Sequence, residues 1–206
     1  MSPKEIRPIL DVDGVLVTGR PADGLRRDHQ QFEDTRVAPD SLGRQLFARD
    51  LDDIVTGRKA LLPPLSDALR AIGSQVNAED LAHYWFDMAS CVEQAVLADC
   101  RAAPRQGLAI YLAINQEHMR ARYLMQTMKL DQEVDGIVYS AQAGCRKHQP
   151  EFFAHAAEAR GFAPRDLLLV DDTQDNVETA RQADWQAVHW TGAEALSSVL
   201  QRCISR

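Results

Sequence analysis

The sequence predicts an α/β protein: a doubly wound parallel sheet whose chain is interrupted early by a helical insert. Two patterns carry this. Beyond Gly107, apolar runs of strand length alternate with amphipathic stretches of helical period. Between Asp40 and Ala103 the apolar spacing is helical throughout. The βα alternation implies right-handed crossovers and helices on both faces of the sheet.

The first strand reads as Pro8 to Val12, opening at a proline where a missing N–H costs least, and stopping at Asp13-Gly14. Thr18 to Pro39 is polar, carries Gly19, Pro21 and Gly24, and reads as a loop or loosely held excursion. In the insert, Leu42, Leu46, Phe47 and Leu51 form one stripe. Leu65, Leu69 and Ile72 form a second, and Leu81, Tyr84, Trp85 and Met88 a third. Pro39-Asp40 and Asn77 to Asp80 look like helix starts, Gly57 and Gly73 like stops.

The later strands read as Leu108 to Ile114, Gly136 to Tyr139, Leu167 to Val170 and Ala187 to His189. The helices between and after them read as Glu117 to Leu130, Glu151 to Arg160, Asn176 to Ala183 and Ala193 to Cys203. The expected organisation is a Rossmann-like core from residues 1–16 and 107–206, with residues 17–106 as the helical insert.

Composition removes several function classes. Among 206 residues, 23 are basic and 30 acidic, for a net charge of -7, so no global positive field gathers nucleic acid or an anionic membrane. The insert carries eleven basic and fourteen acidic residues, so neither part is a polyanion binder. No run reaches the roughly 18 apolar residues of a membrane helix, and Met1 to Arg7 is followed by no signal-like stretch, which reads as a soluble, cytoplasmic protein. Cys91, Cys100, Cys145 and Cys203 form no C-x-x-C pair and read as reduced, structural thiols. The closest histidines, His148 and His155, are seven residues apart, which argues against a zinc site.

In open α/β sheets ligands bind beyond the carboxyl ends of the strands. Those ends carry Asp11, Asp13 and Gly14, then Ile114 and Asn115, then Asp171 and Asp172, with Lys147 ahead of the helix at 151. Three or more carboxylates at one edge repel one another unless a cation sits among them, and a hard divalent ion resolves the conflict. Mg²⁺ suits oxygen ligands that also leave room for a phosphate, and Lys147 adds a second positive charge. An Asp11 neutralised in this way is an ionised nucleophile. Asp13 can reach a leaving oxygen, and Gly14 lets the turn approach a phosphoryl group.

Asp11-Val12-Asp13-Gly14-Val15-Leu16, the run from Ile110 to Gln116, Lys147 and Val170-Asp171-Asp172 follow the order and spacing of four motifs. In these the chain resembles the haloacid dehalogenase-like superfamily over nearly its whole length, and the insert resembles that family's helical cap. The resemblance implies that Asp11 attacks phosphorus to give an aspartyl phosphate. It implies that Asp13 protonates the leaving alkoxide and then deprotonates water. Mg²⁺ would be held by Asp11, the Asp13 carbonyl and Asp172, supported by Asp171 and Asn176. Lys147 would steady nucleophile and phosphoryl charge, and Gly14 and Asn115 would border the phosphate. The expected activity is a Mg²⁺-dependent phosphomonoester hydrolase acting on a small phosphorylated metabolite. A phosphotransferase or mutase shares the route, while Asp13 disfavours the carbon-halogen branch.

The second motif departs from the family. Where a Thr or Ser hydroxyl is usual, this chain has Ile114 in Ala113-Ile114-Asn115. A lost hydrogen bond to a charged group is worth roughly 1.5–3 kcal/mol, about one to two orders of magnitude in rate. A weakened or inactive relative that binds a phosphorylated ligand or a protein partner is therefore the competing expectation. His148-Gln149-Pro150 departs too, and His148 reads as a solvated loop residue. Tyr84, Trp85 and Phe86 read as insert core, Trp185 and Trp190 as packing, and Arg26-Arg27 and Arg58-Lys59 as solvated pairs.

Overall fold

The computed structural model describes residues 6–17 and 31–204. Five parallel strands form one sheet: β1 (Arg7–Asp11), β2 (Tyr111–Ile114), β3 (Gly136–Tyr139), β4 (Leu167–Asp171) and β5 (Gln186–His189). Their spatial order is β3-β2-β1-β4-β5. The chain reverses direction across the sheet at β1, so the ends of β1, β2 and β4 flank the crevice where doubly wound sheets bind ligands.

Alternation along the strands divides the core into two faces. Leu10, Leu112, Leu168 and Val170 face helices α4 (Gln94–Ala102) and α8 (Leu196–Ile204), through Val96, Leu97, Leu196 and Val199. Ile9, Ala113, Leu167 and Leu169 face α6 (Pro150–Arg160), with Phe152, Phe153 and Ala156, and α7 (Gln174–Gln182), with Ala180. Pro8 lies inside the central strand as its second residue, paired with Leu168, rather than opening it. β2 begins at Tyr111, three residues later than its apolar run, because the Ile110 backbone pairs with Asp135 instead. Asp135 N donates to Ile110 O at 2.7 Å, and Ile110 N donates to Asp135 Oδ2 at 2.8 Å.

A separate helical layer is built from α1 (Ala48–Val55), α2 (Leu62–Ala71) and α3 (Ala78–Met88), with its own core of Leu42, Leu46, Ile54, Leu65, Leu81 and Phe86. Asn77 caps α3 as its residue type predicts, accepting from the N–H groups of Glu79 and Asp80. Gly57 and Gly73 end helices in the left-handed conformation. Helix α4 lies in the same stretch of sequence, yet its buried residues join the sheet's core. Two contacts fix the layer over the carboxyl edge of the sheet. Ser140 Oγ, just past β3, donates to the Val55 carbonyl at 2.5 Å. Gly57 packs so closely that a Cβ there would lie 2.4 Å from the Ala141 carbonyl oxygen.

Four expectations shift. Residues 31–35 are helical rather than loop, pinned to α3 by Trp85 Nε1 donating to Gln31 Oε1 and Tyr84 Oη donating to Asp34, both at 2.9 Å. The remainder of the polar stretch, residues 18–30 with Arg26-Arg27, lies outside the described residues. In the first stripe a π-helical turn, Gly43–Phe47, breaks the 3.6-residue register. Leu42 and Leu46 are buried, while Phe47 and Leu51 are 41% and 38% exposed. A second π turn, Tyr123–Thr127, follows α5 (His118–Arg122) in place of one continuous helix to Leu130. The last helix begins at Leu196, three residues later than its amphipathic run. Among the described residues, no helix is long and apolar enough to cross a membrane, and Cys91, Cys100 and Cys145 are free thiols.

Candidate active site

The loop after β1 is anchored by its apolar residues. Val12, Val15, Leu16 and Val17 are buried, and the Val12 carbonyl accepts from the N–H groups of Val15, Leu16 and Val17. This holds Asp11 inside the strand end and leaves Asp13 exposed above it. Gly14 has φ +89 and lies against Asp172. Only a residue without a Cβ fits there comfortably.

Oxygen atoms of Asp11, Asp171 and Asp172 lie within 4.8 Å of one another, uniting residues from the ends of β1 and β4. The Asp13 carboxylate is outside this group. Lys147 is 1% exposed, and its ammonium donates to three acceptors: Asp11 Oδ1 at 2.7 Å, Asp171 Oδ2 at 2.8 Å and the Ala113 carbonyl at 3.2 Å. Asp171, fully buried, also accepts from Thr173 N at 2.9 Å and Asn176 Nδ2 at 3.0 Å. Asp11 Oδ1 further accepts from Val12 N at 2.7 Å.

These charges do not balance. One ammonium faces three carboxylates. Burial, the largest influence, pushes the Asp11 carboxyl up to about 7, opposed by Lys147 and reinforced by the Asp171 charge. Burial also works against the Lys147 ammonium, but the charges of Asp11 and Asp171 outweigh it and hold the lysine above its ordinary value. The lysine therefore stays charged and the excess negative charge falls on the carboxylates. A divalent cation with oxygen ligands fits this donor set and would return Asp11 to its ionised form.

Asn115 reaches the site by an unanticipated route. Its side chain carbonyl accepts from the Lys147 backbone N–H at 2.8 Å, tying the loop after β2 to the lysine loop. Ile114 is 2% exposed and packs in the sheet core with Val12, Val15 and Leu16. His148 is exposed, as its loop position suggests, and Trp185 and Trp190 are buried. Arg58 and Lys59 pair with Asp50, Asp52 and Asp53 at the surface. The aromatic trio divides: Phe86 is buried in the helical layer, whereas Tyr84 and Trp85 are half-buried.

Sequence reasoning missed His189 and the Glu117/Arg120 pair. His189 Nε2, at the end of β5, lies 2.9 Å from the Asp172 carbonyl and donates to it in the tautomer protonated there. Glu117 caps α5 by accepting from Met119 N and Arg120 N, and the buried Arg120 guanidinium donates to the Phe86 carbonyl at 2.9 Å and the Ala89 carbonyl at 2.6 Å. The N-cap position of Glu117 ahead of the α5 pattern was the available signal.

Known proteins are similar to this chain in sequence and fold. A family model described as haloacid dehalogenase-like hydrolase matches residues 9–184. A sesquiterpene phosphatase of Aspergillus oryzae is 25% identical over 203 residues, 95% of each chain. A phosphatase of Mycobacterium tuberculosis is 35% identical over 86 residues, 41% of this chain and 40% of the relative. Among solved structures, a HAD family enzyme of Bacteroides thetaiotaomicron in a magnesium complex superposes with a TM-score of 0.75 at 16% identity, covering 95% of this chain and 98% of that one. A HAD-like family hydrolase of Porphyromonas gingivalis gives 0.72 at 19%, covering 98% and 99%.

Proposed function

We propose that this chain, which belongs to the haloacid dehalogenase-like hydrolases, is a Mg²⁺-dependent phosphomonoester hydrolase acting on a small phosphorylated metabolite. The observation that carries this reading is the convergence of Asp11, Asp171 and Asp172 within 4.8 Å around a buried lysine. The phosphatase names of the Aspergillus and Mycobacterium relatives support it. The magnesium bound by the Bacteroides enzyme supports the choice of ion.

In this reading Asp11, Asp172 and the main-chain carbonyl of Asp13 would hold the ion, with Asp171 behind them, oriented by Asn176 and Thr173. Bound Mg²⁺ supplies the positive charge that keeps Asp11 ionised and offsets phosphoryl charge. Asp11 attacks phosphorus, and the P–O bond to the leaving group breaks as the Asp11–phosphorus bond forms. Asp13, exposed on its loop, gives its proton to the departing oxygen. It then takes a proton from the water that hydrolyses the aspartyl phosphate, releasing inorganic phosphate. Lys147 holds Asp11 in position and balances phosphoryl charge. The helical layer built on Leu42, Leu46 and Phe86 serves as the cap over this edge.

Phosphate release from a panel of sugar, nucleotide and chromogenic phosphomonoesters, with Mg²⁺ and with EDTA, tests this. Metal-dependent turnover abolished by Asp11→Asn is expected. Wild-type rates no higher than that variant's on every member would overturn it. The buried Ile114 favours one second reading, a weakened relative that binds phosphorylated ligands with little turnover.

A further inference from the structure

A cavity of about 500 Å³ opens between the helical layer and the loop after β2. That volume is within the range of small-molecule sites, about 300–1,000 Å³. One wall is hydrocarbon and aromatic: Leu42, Phe47, Leu51, Ile54, Trp85 and Met88. The opposite wall is Asn115, Gln116 and Arg146. Asn115 is the residue that accepts the Lys147 N–H, and Arg146 precedes that lysine in the chain, so this wall borders the loop that carries Lys147.

The apolar wall is unfinished. The π turn in Gly43–Phe47 leaves Phe47 and Leu51 exposed, and both line this cavity. Polar groups on the side of the helical layer and α5 are engaged, whereas Arg146 Nε on the far wall is buried without a hydrogen-bond partner. Trp85 Nε1 donates to Gln31, Tyr84 Oη to Asp34, and the Arg120 guanidinium to the Phe86 and Ala89 carbonyls. The Glu117 carboxylate accepts from two backbone N–H groups. Against Tyr84, Trp85, Glu117 and Arg120 a sugar or base would give up water for groups with partners of their own, whereas a hydrocarbon would cover the exposed Phe47 and Leu51, with Arg146 left at the polar end.

Resting on the phosphomonoesterase reading, we infer that the natural leaving group is an uncharged hydrocarbon alcohol, seated in this cavity with its phosphate toward Asp11. The Asp11 carboxylate displaces the alcohol from phosphorus, the alcohol leaves with the proton from Asp13, and water then hydrolyses the aspartyl phosphate to inorganic phosphate.

The test is kcat/KM for methyl, butyl, octyl and decyl phosphates below their micelle concentrations, against glucose 6-phosphate and AMP. At full burial each methylene is worth about fourfold, so a rise of twofold to fourfold per carbon is expected until the cavity is filled. Octyl phosphate should exceed both polar esters. Turnover without a chain-length rise, or with a preference for glucose 6-phosphate or AMP, overturns the inference and leaves the phosphatase reading standing. No turnover of any ester above Asp11→Asn overturns both. A Phe47→Ser, Leu51→Ser double variant, changed only at exposed positions, should flatten the chain-length slope. An unaltered slope would also overturn the inference.

Discussion

Asp172 lies where a side chain on Gly14 would go. A Cβ built on Gly14 would come within 2.0 Å of Asp172 Oδ2 and 2.5 Å of its Cγ. The tight turn after β1 and the carboxylate after β4 are thus fitted to one another, and the missing Cβ is what allows Asp172 to reach Asp11.

The first prediction follows from that fit. Gly14→Ala imposes φ +89 on an L residue and pushes Asp172 away. Left-handed strain of about 1–2 kcal/mol lowers Tm by only a few degrees in a domain this size, because the exposed Asp172 side chain can swing aside. The site suffers more. The Tm increase on adding Mg²⁺ should fall to less than half that of wild type, and kcat by at least about tenfold, as checked by thermal melts with and without metal and by phosphate release.

Lys147 is the only positive charge that the described contacts set against Asp11 and Asp171. Removing one partner of a buried ion pair costs roughly 3–5 kcal/mol, since the other charges remain in a low dielectric. Lys147→Met should therefore lower the urea midpoint at pH 7 strongly. Added Mg²⁺ should recover part of the loss by taking over the neutralisation of Asp11. A variant with a wild-type midpoint in metal-free buffer would show that the carboxylates need no counterion.

The sheet and this rim were largely legible in the sequence, because both follow from local signals. Strand-length apolar runs fix β3 within a residue, and acidic groups at strand ends meet wherever parallel strands are adjacent. What was not legible depends on partners far along the chain. The register break at Gly43–Phe47 turns Phe47 and Leu51 outward, although their spacing from Leu42 matches a buried stripe. Helix α4 shares its composition with the insert, and only the packing of Val96 and Leu97 with Leu196 and Val199 assigns it to the sheet. His189 carries no motif, and its role depends on β5 lying beside β4.

Cys100 gives a pH prediction. It is fully buried on α4, and burial, with smaller contributions from Asp99 and Glu133, pushes its thiol up to about 12 from an ordinary 9. Between those values the folded chain keeps a proton that the unfolded chain releases, so stability is full below pH 9 and falls as pH rises toward 12. Urea denaturation from pH 8 to 10.5 should show a decline that Cys100→Ala makes shallower. Under native conditions at pH 8, a thiol reagent should modify the exposed Cys91 and leave Cys100 intact.

Ile114 separates the two functional readings. It occupies the end of β2 between Ala113, whose carbonyl accepts from Lys147, and Asn115, whose side chain holds the Lys147 backbone. Ile114→Thr places a hydroxyl donor at this point. It also removes apolar volume from a core that includes Val12 and Val15, at a cost of about 1–3 kcal/mol. If the missing donor limits turnover, kcat/KM for a phosphomonoester should rise by about one to two orders of magnitude while Tm falls. A rate unchanged or lowered in a folded variant would mean that Lys147 and the neighbouring backbone already satisfy the phosphoryl group, and the case for a weakened enzyme would lose its basis.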